Sequence, residues 1–236
     1  MSTPIDLSKY SLIFFDVDNT LIDTVGDMRR MITETIEHAG DVATDEVVRG
    51  FFESNSRWWH RYHEGEVRDL AELRLGRFVD LVRDFGLNGD PAAMSEEYLE
   101  LLRSSHKLFP GTRELLETLA KTHTLCVASN SDEAQQRRRL GLAGIDRYFT
   151  HWFVSDTHGY VKPDPRFFLE GMKRAGVTDK SKVLVVGDDP TADLPGARDA
   201  GLDCCFVSAN VKSDAPDYVT YTVRYPCEML GKRIEN

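Results

Sequence analysis

The chain has 236 residues, 41% hydrophobic and 29% charged, which describes a water-soluble globular protein with room for one large domain or a core domain carrying a smaller one. Its formal charge of −10, from 29 Lys and Arg against 39 Asp and Glu, argues against nucleic-acid polymers and anionic membranes as main partners. No apolar run approaches a membrane span, and Met1–Asp6 lacks a basic region followed by an apolar one, so a cytoplasmic location is expected.

The first element is Leu12-Ile13-Phe14-Phe15, an apolar run that reads as a strand buried on both faces and ends abruptly in Asp16-Val17-Asp18-Asn19-Thr20-Leu21. From about Val25 to His106 the pattern becomes helical. Met28, Met31, Ile32, Thr35 and Ile36 recur at helical spacing, with Gly40 as a C-cap. Val47, Val48, Phe51 and Phe52, followed by Trp58, Trp59 and Tyr62, outline a second, aromatic helix. A third runs from Leu70 to Phe85 and stops at Gly86, and Pro91 opens a fourth. These four helices form an insert at about 23–107 between two pieces of a core domain, 1–22 and 108–236. Aromatic residues at helical spacing read first as packing of that insert.

After Phe109-Pro110-Gly111 the chain alternates helices and strands. Helices are expected at Thr112–Lys121, Glu133–Leu140, Pro165–Ala175 and Thr191–Ala200. Strands are expected at Thr124–Ser129, His151–Val154, Lys182–Val186 and Asp203–Val207, with an edge strand near Tyr218–Val223. This alternation predicts an α/β fold with a three-layer, parallel, Rossmann-like sheet. Cys126 and the Cys204-Cys205 pair sit inside apolar runs, and the four cysteines show no metal-ligand spacing, so buried free thiols are expected.

Polar groups recur where strands end: Asp16 and Asp18, then Ser129-Asn130-Ser131, then Lys162-Pro163, then Gly187-Asp188-Asp189 with Asp193. In a parallel sheet these ends share one edge, so the groups can converge. Acids without nearby His or Cys favour a hard, oxygen-seeking cation such as Mg²⁺, and a hydroxyl and a lysine beside it would cradle a phosphoryl group. Each piece taken singly has a plainer reading: Ser129 and Asn130 as helix caps, Lys162 as a solvated loop lysine, Asp188, Asp189 and Asp193 as acids at a helix N-terminus.

Taken together, Asp16-Val17-Asp18-Asn19-Thr20-Leu21, Ser129, Lys162-Pro163 and Gly187-Asp188-x₄-Asp193 resemble the four motifs of the haloacid dehalogenase superfamily, and the insert resembles its helical C1 cap. Asn55-x₃-Trp59, Gly65, Phe109-Pro110-Gly111 and Gln135-x₃-Arg139-Leu140 resemble the YjjG-like 5′-nucleotidases. Asp18 to Thr24 is also similar to N-acylneuraminate-9-phosphatases.

The resemblance implies a Mg²⁺-dependent phosphomonoester hydrolase. Asp16 would be the nucleophile and Asp18 the acid and base, and Ser129, Asn130 and Lys162 would hold the phosphoryl group. Asp16, Asp188 and the Asp18 carbonyl would ligate the metal, with Asp193 behind them. The insert would act as a lid over the site, and the loop Asp156–Tyr160 would lie near it. A small phosphorylated metabolite is the implied partner: a nucleoside 5′-monophosphate first, a sugar phosphate or acylneuraminate phosphate second. A 2-haloacid dehalogenase, a phosphomutase and a phospho-receiver protein remain alternatives. Asp18 and Asp188 weigh against the dehalogenase, which needs neither a proton donor nor a metal.

Overall fold

The computed structural model describes residues 5–209 and 215–232. Met1–Pro4, part of the segment read above for a leader, lie outside them. The chain divides into two compact units, Met1–Asp23 with His106–Asn236, and Thr24–Ser105.

In the first unit, strand β1 (Leu12–Phe15) leads to the second unit, whose helices are α1 (Thr24–His38), α2 (Asp45–His63), α3 (Leu70–Phe85) and α4 (Pro91–Ser104). The chain then returns through α5 (Thr112–Leu119), β2 (Thr124–Ser129), α6 (Glu133–Leu142), β3 (His151–Val154), α7 (Ser155–His158) and α8 (Arg166–Arg174). It closes with β4 (Val183–Gly187), α9 (Asp193–Ala200), β5 (Asp203–Val207) and β6 (Tyr221–Val223). The strands form one sheet in the order β3-β2-β1-β4-β5-β6, with every neighbouring pair parallel. The parallel α/β architecture expected from the alternation is therefore present.

The sheet is parallel because β1 to β5 are largely buried on both sides and each is separated from the next by one or more helices. Alternate residues of β1 divide between the faces. Ile13 and Phe15 pack with Leu115, Leu116 and Leu119 of α5 and Leu140 of α6. Leu12 and Phe14 pack with Phe167, Phe168 and Met172 of α8 and Leu194 and Ala197 of α9. Cys126, Cys204, Cys205 and Cys227 are buried free thiols.

The boundaries differ from expectation at a few ends, for local reasons. Helix α9 begins at Asp193 rather than Thr191, because Thr191 donates its N–H and hydroxyl to Asp189 Oδ1, both at 2.7 Å, closing a turn first. Pro165 stands as the N-cap of α8, which ends at Arg174. The edge strand covers only Tyr221–Val223.

The second unit has its own core, built from Met28, Met31, Ile32, Val47, Val48, Phe51, Phe78, Leu81, Met94 and Tyr98. Gly86 closes α3 at φ 63°, as its place in the sequence predicts, and Thr44 and Asp69 cap α2 and α3 by accepting backbone N–H groups. The reading of the tryptophans as core is corrected. Trp58 packs against Gly76, where a Cβ would lie 2.2 Å from its ring, and donates its indole N–H to Asp80 at 2.8 Å. Trp59, Tyr62 and His63 contact one another at half-buried positions outside the core cluster.

Phe14 meets Phe153 and Phe168 with ring centroids 5.7 and 5.4 Å apart. Phe14→Ala should lower unfolding free energy by about 3–5 kcal/mol, read from denaturant melts. A loss below about 1 kcal/mol would show that these rings do not organise the core.

Candidate active site

The chain leaves β1 for β2 and β3 on one side, then crosses back to place β4 on the other. The carboxyl edge between β1 and β4 is thus the point where strand order reverses, the usual place for a crevice in a doubly wound sheet. Asp16 follows β1 directly and its N–H donates to Val186 of β4 at 2.9 Å. Asp188 follows β4, and its Oδ1 accepts from the buried Thr20 hydroxyl at 3.4 Å.

Lys162 is the hub. Its ammonium is 2% exposed and donates three hydrogen bonds: to Asp16 Oδ1 at 2.8 Å, Asp193 Oδ1 at 2.6 Å and the Ala128 carbonyl at 2.8 Å. Those three acceptors use all three of its N–H bonds, which is what a buried ammonium requires. Asp193 reaches the lysine because residue 187 is glycine: a Cβ there would lie 2.4 Å from the Asp193 carboxyl carbon.

Asn130, expected among the groups that hold a phosphoryl, has its carboxamide on the Lys162 peptide. Its Nδ2 donates to the Lys162 carbonyl at 2.7 Å while its Oδ1 accepts the Lys162 N–H at 2.8 Å. The side chain therefore pairs with the Lys162 peptide as a neighbouring strand residue would. Asp189 is likewise engaged locally, with Thr191 and through its own N–H to Asp193 Oδ2 at 3.3 Å. The stretch expected as a loop at Asp156–Tyr160 is partly the short helix α7. Its Asp156 accepts the Glu133 N–H at 3.2 Å, and its buried His158 donates from Nε2 to the Phe167 carbonyl at 2.9 Å.

Asp18 stands apart from the lysine cluster. Its Oδ1 accepts from Arg139 at 2.6 Å and its Oδ2 from Gln136 at 2.8 Å, and Gln136 also donates to Ser129 Oγ at 3.0 Å. Sequence reasoning singled out Gln135, four residues before Arg139, but Gln135 turns to Ser131 at 3.0 Å. Gln136, at i, i+3 from Arg139, shares the face that reaches the site. The signal was in the helical spacing, since both residues follow a strand end that already carried Ser129.

The acids are electrostatically strained. Burial pushes the Asp16 carboxyl up to about 8, against the pull of Lys162 and with the charges of Asp193 and Asp18 adding to the rise. Asp188 is raised well above the usual carboxylate range by burial and then by Asp16 and Asp193. Burial raises Asp193 too, although Lys162 opposes it. Burial also works against the charge of Lys162, but Asp16 and Asp193 outweigh it and hold the lysine protonated.

Asp16, Asp188 and Asp193 each offer a carboxylate oxygen, all within 4.8 Å of one another. Three carboxylates against one ammonium leave two negative charges unmatched, the charge of one divalent cation. An all-oxygen donor set of this kind suits a hard cation, so the residues present fit one.

Residues 10–201 match the haloacid dehalogenase-like hydrolases. The chain belongs to this family. Its similarity to the putative HAD-hydrolase YfnB of Bacillus subtilis is 28% identity over 220 residues, covering 92% of this chain and 93% of that protein. The magnesium-bound crystal structure of YfnB superposes with a TM-score of 0.85 at 27% identity, over 92% of this chain and 95% of that one. Two pyrimidine 5′-nucleotidases are also similar. YjjG of Escherichia coli is 29% identical over 86% of this chain and 88% of its own length, and PynA of Streptococcus pneumoniae is 28% identical over 95% and 97%. Among the described residues no helix is long and apolar enough to cross a membrane.

The raised acids make stability depend on pH with a defined sign. A carboxyl whose folded value lies above its unfolded one stabilises the fold at low pH and stops doing so as pH rises through the folded value. The cation-free protein should therefore lose melting temperature as pH rises from about 4, the unfolded carboxylate value, to about 8, the folded value of Asp16. Added Mg²⁺ should recover the loss most strongly at the upper end, because binding displaces those protons. Melting curves with EDTA and with MgCl₂ test this; a melting temperature that rises over that window without metal would refute it.

Proposed function

We propose that this haloacid dehalogenase-like hydrolase cleaves phosphate monoesters through a covalent phosphoryl group on Asp16. The observation that carries the reading is the Lys162 ammonium fixed between Asp16 and Asp193 while Asp18 is held separately by Arg139 and Gln136. Two carboxylates two residues apart thereby sit in different surroundings, as a nucleophile and a separate proton carrier require.

Asp16, Asp188 and the Asp18 carbonyl would hold Mg²⁺, with Asp193 in support, and the bound ion supplies positive charge to the phosphoryl oxygens as the anionic nucleophile approaches. Lys162 adds a fixed positive charge beside the attacking oxygen. It also restrains the Asp16 side chain in one orientation, since its other two hydrogen bonds tie it to β2 and α9. Ser129, at the end of β2, offers a hydroxyl for a phosphoryl oxygen. Asn130 contributes through its hold on the Lys162 peptide.

In the first half-reaction an Asp16 oxygen bonds to phosphorus as the bond from phosphorus to the leaving alcohol oxygen breaks. That oxygen takes a proton from the Asp18 carboxyl. In the second, a water oxygen bonds to phosphorus and gives its proton to the Asp18 carboxylate. The acyl-phosphate bond then breaks to release inorganic phosphate and restore the Asp16 carboxylate.

The substrate class we assign is a small phosphorylated metabolite, with a pyrimidine nucleoside 5′-monophosphate as first choice. Support comes from similarity to YjjG and PynA, whose names state that activity, over nearly the whole chain. The net charge of −10 agrees with a metabolite rather than a nucleic-acid polymer.

Asp16→Asn should abolish phosphate release from p-nitrophenyl phosphate and from UMP while leaving the far-ultraviolet circular dichroism spectrum unchanged. EDTA should silence the wild-type protein, and MgCl₂ should restore it. Turnover by Asp16→Asn at the wild-type rate would end the assignment, and full activity in EDTA would remove the metal from it.

A further inference from the structure

Arg139 and Gln136 are fully buried on one face of α6, yet both reach a carboxylate whose side chain is 32% exposed. A guanidinium withdrawn from water is costly unless it is paired, whereas a carboxylate that exposed is stable in water without a buried partner. The pair is therefore accounted for by the direction it imposes on Asp18 rather than by the needs of Asp18 itself.

The hydrogen bonds define that direction atom by atom. Arg139 Nη1 donates to Asp18 Oδ1 at 2.6 Å and to Gln136 Oε1 at 3.3 Å. With its oxygen turned to Arg139, Gln136 has its two Nε2 hydrogens left to give, to Asp18 Oδ2 at 2.8 Å and Ser129 Oγ at 3.0 Å. Ser129 Oγ accepts a second time, from the Ser131 N–H at 3.3 Å. A hydroxyl has two lone pairs and one hydrogen, so a serine with both lone pairs engaged can act only as a donor.

We propose that Gln136 and Arg139 are positioning residues for the proton transfers of the site, fixing the direction in which the Asp18 carboxylate faces and leaving Ser129 as a hydrogen-bond donor to the phosphoryl group. This rests on the hydrolytic reading above. It extends that reading to residues that act through Asp18 and Ser129. Asp18 follows β1 and Ser129 ends β2, and the Gln136 carboxamide ties the two strand ends together. With one donor on each oxygen, the Asp18 carboxylate is fixed in direction and keeps its remaining lone pairs open to a water proton. The latch therefore serves the second half-reaction, in which water oxygen bonds to phosphorus, its proton moves to Asp18, and the bond to Asp16 breaks.

Stopped-flow hydrolysis of p-nitrophenyl phosphate in MgCl₂ tests this, because nitrophenolate needs little help from an acid to leave. Arg139→Met should slow steady-state turnover about 10²-fold, the lower end of what acid–base groups contribute. It should also release one equivalent of nitrophenol per protein in a rapid burst, with a phosphorylated protein visible by intact mass. The wild type should show no burst. Gln136→Leu, which keeps the Arg139–Asp18 ion pair, should show the same burst with a smaller slowing, and decides the matter if Arg139→Met does not fold. Arg139→Lys, which keeps the charge, should shrink the burst and recover part of the turnover.

Wild-type turnover in these variants, or slowing without any burst, would make Arg139 and Gln136 supports of α6 only and overturn the proposal. The phosphorylated species should vanish when Asp16→Asn is combined with either variant. A phosphorylated protein that persists there would instead count against Asp16 as nucleophile, a separate failure.

Discussion

Everything in the first unit is arranged around one buried ammonium. Lys162 lies among atoms that exclude water, and it is tolerated there because Asp16, Asp193 and the Ala128 carbonyl take all of its hydrogen bonds. The acids that satisfy it overshoot. Counting Asp188, they carry more negative charge than one lysine can match, and burial makes that excess expensive. A site with this imbalance is poised to accept positive charge, or to give up protons when such charge arrives. The same imbalance would hold a phosphate ester at a distance if nothing offset it, which is why cation and anion binding belong to one description of the crevice.

The parallel sheet makes this density of charge possible. Asp16, Ser129 and Asp188 come from separate strands, and only the common direction of β1, β2 and β4 delivers them to one edge. Core packing and site chemistry are coupled here. Phe15, packed on the α5 side of the sheet, immediately precedes Asp16, and Gly187, the last residue of β4, is small because Asp193 occupies the space beside it.

Much of this could be read from the residues in order. The apolar run at Leu12 announced a doubly buried strand, and acids at its end were costly enough to demand a partner. The alternation of helices and strands after Phe109 supplied the other ends. What the sequence could not give was the division of labour among polar side chains of similar chemistry. Asn130 reads equally as a cap or an anion ligand until its carboxamide is seen on the Lys162 peptide. Gln135 and Gln136 are neighbours of identical composition, and a rotation of about 100° per helical residue decides which one meets Asp18. The tryptophans of α2 misled for a related reason: helical spacing puts Trp58 on the stripe of Val47 and Phe51 without saying how far along the helix the core reaches.

The pairing of Asn130 with the Lys162 peptide has a consequence for how such a protein can change. Lys162 belongs to no strand, yet two side-chain hydrogen bonds fasten its backbone to the end of β2 as firmly as strand pairing would. The segment between β3 and Lys162 is thereby released from the duty of aiming the lysine. Substitutions around Gly159 and Tyr160 can then be accommodated while the lysine keeps its place beside β2. The aim of the lysine is thus set from β2, through a carboxamide, and not by the path the chain takes from β3.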